Sequence, residues 1–479
     1  MSTIDETINA AFTPLAEWTA GVVFYAEPFT GLEIKLILVW LALASLFFTF
    51  YLGFINFRGF GHAINIVRGK YDHAGSEGQI NRFQALASSL SGTVGLGNIA
   101  GVAVAVSLGG PGAVFWMILM GFLGMSAKFA EVTLGVKYRV HADHEHHERL
   151  SGGPMYYLRH AFDQIGQKRL GIFVAGLFAV CCIGGAFGGG NMFQANQSYQ
   201  QLVNVTGGEE GFWGDKGWLY GLILSIAVGA VIIGGIKSIA GAASKIVPFM
   251  GGLYILTGLV VIAMHITNLP AALYEIFTLA FDPASAYGGI LGAMLVGVQR
   301  AAFSNEAGLG SAAIVHSAVK TDEPVSQGFV GMLGPFIDTV IICLVTALVI
   351  VISGAYVDSE GVEGVALTSR ALESGLPFAE YILVVVVILF AYSTLLTWSY
   401  YGQKCLTYLV GQNDTVEIIY KLIFCLFIVI GASAQLDSVI LFSDAMILAM
   451  GIPNIIGLYL LAPEIRRDVK AYWAKIKAA

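Results

Sequence analysis

Charged residues are scarce in this sequence: Asp, Glu, Lys and Arg together make up 12% of its 479 residues. A soluble globular chain carries about 25%. Hydrophobic residues make up 56%. So few charges cannot cover the surface of a water-soluble protein of this length. The composition therefore excludes a series of ordinary soluble domains and predicts a chain whose solvent is largely lipid.

Cysteine is also rare, and basic residues are missing from the start of the chain. The five cysteines lie in or beside apolar stretches without C-x-x-C spacing, which excludes a disulfide framework and a zinc site. The first basic residue is Lys35, so the basic region of a secretory signal peptide is lacking. No basic stripe is present anywhere, so nucleic acid is not an expected partner.

Long apolar runs are abundant, and eleven of them can span about 30 Å of hydrocarbon. They predict an all-α polytopic membrane protein with transmembrane helices at 34–56, 83–108, 111–137, 169–203, 217–236, 243–266, 288–318, 326–353, 378–409, 416–433 and 437–462. Residues 1–33 contain an apolar stretch interrupted by Pro14 and Glu17. They predict an interfacial or re-entrant segment, with a twelfth span as the alternative. Residues 463–479 predict a tail.

The basic residues in the loops and at the ends of the spans predict the orientation, because cytoplasmic loops are enriched in Lys and Arg. With the N-terminus outside, 18 of them fall in inner segments and only Lys216 and Arg370 in outer ones. A helix count wrong by one would destroy this asymmetry. The sequence therefore predicts a multi-pass protein of a bacterial cytoplasmic membrane, with the N-terminus outside and the C-terminus inside.

Two of the predicted helices contain residues that interrupt a helix. Residues 91–98 read SGTVGLGN and residues 301–311 read AAFSNEAGLGS. Each interior Gly costs a helix about 1 kcal/mol relative to Ala, and Ser, Thr and Asn compete for backbone hydrogen bonds. Within lipid, non-helical backbone survives only where protein or water surrounds it. Both helices are therefore predicted to be broken around a cavity.

The two interrupted helices occupy equivalent positions in two halves of the chain. Counted from residue 83, they are the first and sixth of ten helices, in blocks 83–266 and 288–462. By the predicted topology they run in opposite directions, so the halves form a five-plus-five inverted repeat, and 34–56 is an extra helix. Paired breaks of this kind indicate the binding site of a secondary transporter.

These segments carry a resemblance to a known family. The arrangement resembles the leucine-transporter fold, and the chain is similar to the alanine or glycine:cation symporters of bacteria. The matching segments are 92–101 (GTVGLGNIAG), 109–117 (GGPGAVFWM), 190–196 (GNMFQAN) and 300–311 (RAAFSNEAGLGS). The resemblance implies symport of a small neutral amino acid, alanine or glycine, driven by sodium.

The amino acid is expected to bind at the breaks, where a zwitterion finds free N–H and C=O groups. The substrate candidates on the first break are Thr93, Gly95, Gly97 and Asn98. The candidates on the second break are Phe303, Ser304 and Asn305. By resemblance, Asn191 and Gln194 on the third helix of the repeat add side-chain amides. The Gly-rich breaks and Phe303 predict a tight pocket.

Sodium is the coupling ion that the resemblance implies, bound by hard oxygens. The fold implies the carbonyls of Ser91, Val94 and Ala391 with the hydroxyl of Thr394. The usual hydroxyl pair of the fold is altered here. Either Ser393 and Thr394 form a pair shifted by one residue, or Leu395 replaces the second member. A second sodium near the first break and proton coupling remain open alternatives.

A few ionisable residues fall inside the predicted spans, where they are functional candidates. Arg300 and Glu306 are expected to brace the second break, and Asp338 and Asp444 are left without a role. No nucleophile–base pair or metal cluster lies at mid-membrane, so an enzyme is not expected. A channel and a broader-specificity amino-acid transporter are the remaining alternatives.

Overall fold

The structure of the chain, a computed structural model, is almost entirely helical. It describes residues 4–24, 35–71, 75–141, 150–283, 289–357 and 364–478, with side chains from residue 7 onward. The helices of the first half are α1 (Ile4–Val23), α2 (Leu36–Tyr51), α3 (Ile55–Arg58), α4 (Phe60–Val67), α5 (Arg82–Thr93), α6 (Ala100–Gly109), α7 (Gly112–Lys137), α8 (Pro154–Gln164), α9 (Lys168–Phe187), α10 (Phe193–Val205), α11 (Gly217–Ile232), α12 (Gly235–Met264) and α13 (Leu269–Leu279). The helices of the second half are α14 (Gly289–Asn305), α15 (Ser311–His316), α16 (Pro324–Gly331), α17 (Leu333–Pro335), α18 (Leu344–Ser353), α19 (Val365–Glu373), α20 (Ala379–Val410), α21 (Asp414–Ser433), α22 (Leu436–Ala449) and α23 (Gly451–Ala478). Two short strands, β1 (Val140–His141) and β2 (Leu150–Ser151), pair antiparallel.

Many of these helices are long and apolar enough to cross a membrane. Within the described residues, seven continuous helical stretches meet that condition, and the bent pair α5–α6 makes an eighth. The shorter apolar helices α2 and α11 fall at predicted spans. The prediction of a helical, multi-pass membrane protein is therefore confirmed.

The first predicted break is present. Helix α5 begins with a capping box between Asn81 and Gln84 and ends at Thr93. A single 3₁₀ turn follows over Leu96–Asn98, and α6 begins at Ala100. The two half-helices meet at a bend of 59°. The glycines and polar residues of 91–98 thus interrupt the helix, as their composition predicts.

The second predicted break is present as well, between α14 and α15. The residues Glu306, Gly308 and Gly310 have φ angles of 55°, 87° and 86°. Glycine adopts this left-handed region freely, whereas a residue with a Cβ does not. Glu306 is held there by Lys128, whose Nζ donates to the Glu306 carbonyl at 2.9 Å.

Two π-helical segments interrupt other helices beside the breaks. Residues Gly188–Met192 join α9 to α10, and residues Phe336–Cys343 join α17 to α18. The spans predicted at 169–203 and 326–353 are therefore not regular α-helices. Local π-helical turns occur frequently at functional sites because they displace side chains from the α-helical register.

The ends of the chain pack against the bundle. Helix α1 lies on α22, with the rings of Phe12 and Phe442 5.3 Å apart, while residues 25–34 lie outside the described part. The last helix does not end at 462, since α23 runs on to Ala478. The segment predicted as a tail stays helical because Val469 and Tyr472 are buried against the bundle.

Candidate functional site

The two helix breaks lie directly against each other. The Gly95 amide donates to Asn98 Oδ1 at 2.8 Å, and Asn98 Nδ2 donates to Ser304 Oγ at 3.1 Å. A Cβ added at Gly97 would lie 3.6 Å from the Ser304 Cα. Asn98 therefore holds the turn of the first break and joins it to the second.

A buried carboxylate completes this junction. Asp338, in the π-helical segment before α18, accepts hydrogen bonds from Asn98 Nδ2 at 2.8 Å and from Ser304 Oγ at 2.5 Å. Thr339 Oγ1 donates to it at 2.9 Å. Asp338 has no exposed surface, and the groups that face it are an amide N–H and two hydroxyl donors. A buried carboxylate within a span is a candidate for binding a cation or a proton.

Gln194 contacts the first break from α10. Its Oε1 accepts from the Leu96 amide at 2.9 Å, and its Nε2 donates to the Gly189 carbonyl at 2.8 Å. Gly189 lies five residues earlier, inside the π-helical segment. The altered hydrogen bonding of that segment thus orients the Gln194 amide toward the unwound backbone.

The first break releases the carbonyls predicted to bind sodium. In a continuous helix the Gly95 amide would donate to the Ser91 carbonyl, and the Asn98 amide to that of Val94. Instead they donate to Asn98 Oδ1 and to the Gly95 carbonyl. The Thr394 hydroxyl is buried without a hydrogen-bond partner in the described chain, 2.6 Å from where a Cβ of Gly95 would lie. The two carbonyls therefore lack their helical donors, and the Thr394 hydroxyl beside Gly95 lacks a partner in the described chain.

The Ser393 hydroxyl does not face the break. Its hydroxyl donates to the Phe390 carbonyl at 3.1 Å and contacts the Met250 sulfur at 3.5 Å, while its own carbonyl accepts from Ser91 Oγ at 2.6 Å. Ala391 is buried one turn before Thr394. This geometry favours the alternative in which Leu395 replaces the second hydroxyl of the fold.

Aromatic side chains close the junction of the breaks. The rings of Phe303 and Phe193 make an edge-to-face contact with centroids 5.2 Å apart. A Cβ at Gly97 would lie 3.3 Å from Phe303 Cδ1, and one at Gly189 3.1 Å from Phe303 Cε2. Phe303 thus packs against backbone on both sides and leaves little room beside the breaks.

Three predicted site residues make their contacts elsewhere. Thr93 Oγ1 bonds back to the Ser89 carbonyl at 3.3 Å, and Asn191 Nδ2 donates to the Phe424 carbonyl at 2.8 Å. Asn305 caps the second break, since its Oδ1 accepts from the Ala307 amide at 2.9 Å. The structure brings together the other substrate candidates, but it does not direct these three side chains into the junction.

The far side of the second break is braced by a buried polar cluster. Glu131 Oε1 accepts from the Gly310 amide at 3.0 Å and from Asn454 Nδ2 at 2.8 Å. Asn454 Nδ2 also donates to the Gly308 carbonyl at 2.9 Å. Lys128 Nζ lies 3.9 Å from Glu131 Oε2. These bonds satisfy backbone groups that the break leaves free.

Arg300 takes no part in that bracing, so the prediction that Arg300 braces the second break is wrong. Glu306 accepts from the hydroxyl of Ser311, whereas Arg300 forms a buried ion pair with Asp444. One turn separates Arg300 from Phe303, whose ring centroid lies 5.5 Å from the guanidinium carbon. Arg300 pairs with Asp444 because α22 packs beside α14, and this contact between residues 144 positions apart cannot be predicted from the local sequence.

An open cavity of about 640 Å³, here called the vestibule, has Arg300 and Asp444 in its lining. Its walls come from α1, α6, α14 and α22. Beneath it, Thr93 and Phe303 are each 6% exposed, and the other predicted site side chains that carry a Cβ are more deeply buried. The junction of the breaks is therefore closed, with the Arg300–Asp444 pair and Phe303 between it and the vestibule.

Sequence reasoning left Asp338 without a role and did not single out Lys128. Asp338 was noticeable as a carboxylate within an apolar span, but its contact with Asn98 depends on the packing of distant helices. Lys128 is buried in α7, where only its charge among apolar neighbours marks it. Intramembrane charges of this kind are the signal that could have found both residues.

Comparison with known proteins identifies the family. The profile of the sodium:alanine symporter family matches residues 21–479. A sodium/alanine symporter from Methanococcus maripaludis is 41% identical over 441 residues, covering 91% of this chain and 93% of that protein. A probable sodium/glutamine symporter from Bacillus subtilis is 34% identical, covering 93% and 89%.

A solved structure is similar in fold. The crystal structure of MhsT in complex with L-phenylalanine superimposes with a TM-score of 0.54 at 16% identity, over 82% of this chain and 98% of that one. At this identity the likeness concerns the fold, which is that of the leucine transporter. The family comprises transporters rather than enzymes. With its profile match from residue 21 to the end of the sequence, the chain belongs to the sodium:alanine symporter family.

Proposed function

We propose that this chain is a secondary active symporter that takes up small neutral amino acids, alanine or glycine, with sodium as the coupling ion. The observation that carries the proposal is the contact of two helix breaks at Asn98 and Ser304 inside a closed bundle. Ends of half-helices present N–H groups to a carboxylate and C=O groups to an ammonium. The membership of the family and the sodium/alanine symporter among its relatives support this substrate class.

The substrate contacts that we propose are the backbone of Gly95 and Gly97, the amide of Gln194 and the hydroxyl of Ser304. Phe303 closes the pocket over the side chain of the amino acid. Asn98 and Asn305 hold the shape of the two breaks. Thr93 and Asn191 contribute through packing, because the Thr93 hydroxyl bonds back to α5 and the Asn191 Nδ2 donates to α21.

The coupling sodium is proposed to bind between α5 and α20. Its ligands are the carbonyls of Ser91, Val94 and Ala391 with the hydroxyl of Thr394, and Ser393 is not among them. The lost helical donors of the Ser91 and Val94 carbonyls support this assignment. An ion bound there would tie the two halves together when the site is occupied, as coupled transport requires.

We infer that the chain spans the cytoplasmic membrane of a bacterium eleven times, with the N-terminus outside and the C-terminus inside. The inverted repeat comprises 83–266 and 288–462, after an interfacial segment at 1–33 and an extra helix at 34–56. Contacts between segments predicted to lie inside support this topology. Arg139 donates to the Val319 carbonyl at 2.6 Å, and Lys475 pairs with Glu323.

Alternating access is then proposed to open, one at a time, two different barriers that lie on opposite sides of the breaks. On the vestibule side, the Arg300–Asp444 pair and the Phe303 ring separate the breaks from solvent. On the opposite side, the cluster of Lys128 and Glu131 holds the second break to two further helices.

Two variants of this function remain distinct alternatives. The buried carboxylate of Asp338 favours proton coupling as one of them, because such a group can carry a proton across the membrane. The probable sodium/glutamine symporter among the relatives favours a broader substrate range as the other. Both keep the same fold and the same junction of breaks.

Uptake of labelled alanine into proteoliposomes tests the proposal. An inward tenfold sodium gradient with about 100 mV, negative inside, supplies roughly 3.7 kcal/mol per ion, enough to concentrate substrate some 500-fold. We expect accumulation under these conditions and only equilibration when potassium replaces sodium. Accumulation that follows a pH gradient in the absence of sodium would contradict sodium coupling. Uptake of neither alanine nor glycine under any gradient would overturn the proposed function.

A further inference from the structure

A second cavity lies at the end of the bundle where α2 ends and α23 passes it. It has a volume of about 680 Å³ and is bounded by the end of α2, the turn into α3 and the face of α23. The turn is sharp because Gly53 and Phe54 both have positive φ angles, 65° and 55°. The cavity is remote from the junction of the breaks and has no part in the transport mechanism above.

Four basic side chains line this cavity: Arg58, Arg466, Lys470 and Lys477. Three of them lie on α23 with Trp473 between them, at successive spacings of four, three and four residues. That spacing puts all of them on one face of the helix. Among the described residues, none of the four basic groups forms an ion pair with an acidic side chain.

The other basic residues nearby are paired. Arg467 lies 3.7 Å from Asp468, and Lys475 pairs with Glu323. Lys137, at the end of α7, pairs with Glu464 at 2.6 Å. Among the described residues of α23, the basic side chains without an acidic partner thus all lie on the face that lines the cavity.

The rest of the lining is apolar. Leu52, Ile55 and Val469 are buried at its base, and Phe50 is 61% exposed at its edge. The Arg466 guanidinium lies over the Tyr51 ring, 4.9 Å from its centroid. A small soluble anion would satisfy the charges but not this apolar base, whereas a lipid supplies a phosphate and acyl chains together.

We propose that this cavity binds an anionic glycerophospholipid, with its phosphate at Arg58, Arg466, Lys470 and Lys477 and an acyl chain along the base. Basic pockets between transmembrane helices bind acidic head groups in this way. The assignment to the cytoplasmic leaflet depends on the proposed topology, but the binding chemistry does not. Nor does it depend on which amino acid is transported.

The test measures binding to the purified full-length protein in detergent. The probes are dioleoylphosphatidylglycerol, dioleoylphosphatidylcholine and, separately, inorganic phosphate. Native mass spectrometry counts retained lipids, and thermal unfolding reports stabilisation. We expect phosphatidylglycerol to be retained and to raise the melting temperature, and neither phosphatidylcholine nor phosphate to do so. Equal stabilisation by phosphate alone would overturn the lipid assignment, as would equal retention of the two lipids.

The variant Arg466→Gln/Lys470→Gln locates the site. Each basic residue near a membrane surface contributes about fivefold in affinity for acidic lipid, so loss of two should weaken phosphatidylglycerol binding about 25-fold. The matched control Arg467→Gln/Lys320→Gln removes two exposed charges outside the cavity and should bind as the wild type does. Lys477→Gln, near the end of α23, tests the same site with little risk to folding and should cost about fivefold. Unchanged lipid preference in these cavity variants, or equal loss in the control, would refute the proposal.

Discussion

Arg300 on α14 and Asp444 on α22 form a buried ion pair that closes the floor of the vestibule. Their side chains are only 5% and 4% exposed, and Gln299 Nε2 also donates to Asp444 at 2.6 Å. A buried pair is costly to break on one side, by about 3–5 kcal/mol, because the remaining charge is left uncompensated. The pair can therefore act as a gate only if both side chains become hydrated together when the vestibule opens toward the breaks.

The native Cys343 can report that opening. Its sulfur lies 3.2 Å from Ser304 Oγ and is fully buried. In a protein whose other four cysteines are alanine, the double substitution Arg300→Gln/Asp444→Asn should raise the rate of Cys343 modification at least fivefold. It removes the pair without leaving a lone charge. The measurement uses a membrane-impermeant methanethiosulfonate reagent applied from outside.

Two controls accompany this experiment. Cys343→Ala in the same background should show no modification, and saturating alanine with sodium should protect Cys343 by favouring the closed state. An unchanged modification rate in the double variant would show that the ion pair is not the barrier on this side.

Gly95→Ala should reduce alanine uptake more than tenfold. The added Cβ would lie 2.6 Å from Thr394 Oγ1 and 2.9 Å from Gln194 Oε1, where no contact of that length is tolerated. It would therefore displace two groups that we assign to ion and substrate. Initial rates of uptake in proteoliposomes measure the effect. Gly101→Ala in α6 is the matched control, since nothing lies within 4 Å of its added Cβ, and it should transport normally.

The two breaks were predictable from the sequence because their cause is local. Glycine and hydroxyl residues within an apolar run weaken a helix wherever they occur. The role of Asp338 was not predictable, because the residue lies in an apolar segment whose π-helical geometry depends on packing. The different orientations of the side-chain amides of Asn191 and Gln194, three residues apart, were also not predictable. Gln194 faces the first break and Asn191 faces α21. The π-helical turn that contains Asn191 and ends just before Gln194 changes the helical register from which their relative orientation would be predicted.

The pocket should admit glycine and alanine and exclude leucine. Phe303 packs against Phe193 and lies within reach of both Gly97 and Gly189, so a branched side chain has no space beside the breaks. In competition with labelled alanine, leucine should inhibit at least tenfold less well than unlabelled alanine. Phe303→Ala should make leucine a better inhibitor relative to alanine, because it removes the ring that fills the space beside the breaks. Leucine competing as strongly as alanine in the wild type would contradict this account of selectivity.

Thr394→Ala should weaken sodium activation at least tenfold while leaving alanine affinity at saturating sodium nearly unchanged. It removes a buried hydroxyl that lacks a hydrogen-bond partner in the described structure. Thr394→Ser should restore activation because it keeps the oxygen. Ser393→Ala should resemble the wild type, since the Ser393 hydroxyl bonds to Phe390. If the two alanine variants behaved alike, the hydroxyl pair would be shifted by one residue after all.

Asp338→Asn tests whether the buried carboxylate binds a sodium ion or a proton during transport. Asparagine has the same shape; its Oδ1 can accept from Asn98 Nδ2, and the Ser304 hydroxyl can turn to accept from its Nδ2, so the junction of the breaks should remain folded. It removes the negative charge that a second cation would require. If sodium binds there, the variant should show weaker sodium activation and a Hill coefficient reduced toward one, both measured from the sodium dependence of alanine uptake. If Asp338 instead carries a proton, the sodium dependence should be unchanged, while uptake driven by a pH gradient should be lost. The first outcome, weaker sodium activation, is expected. The three groups that donate to Asp338 are neutral, so its charge stays buried beside the proposed substrate without a counter-charge. A bound cation would neutralise that charge.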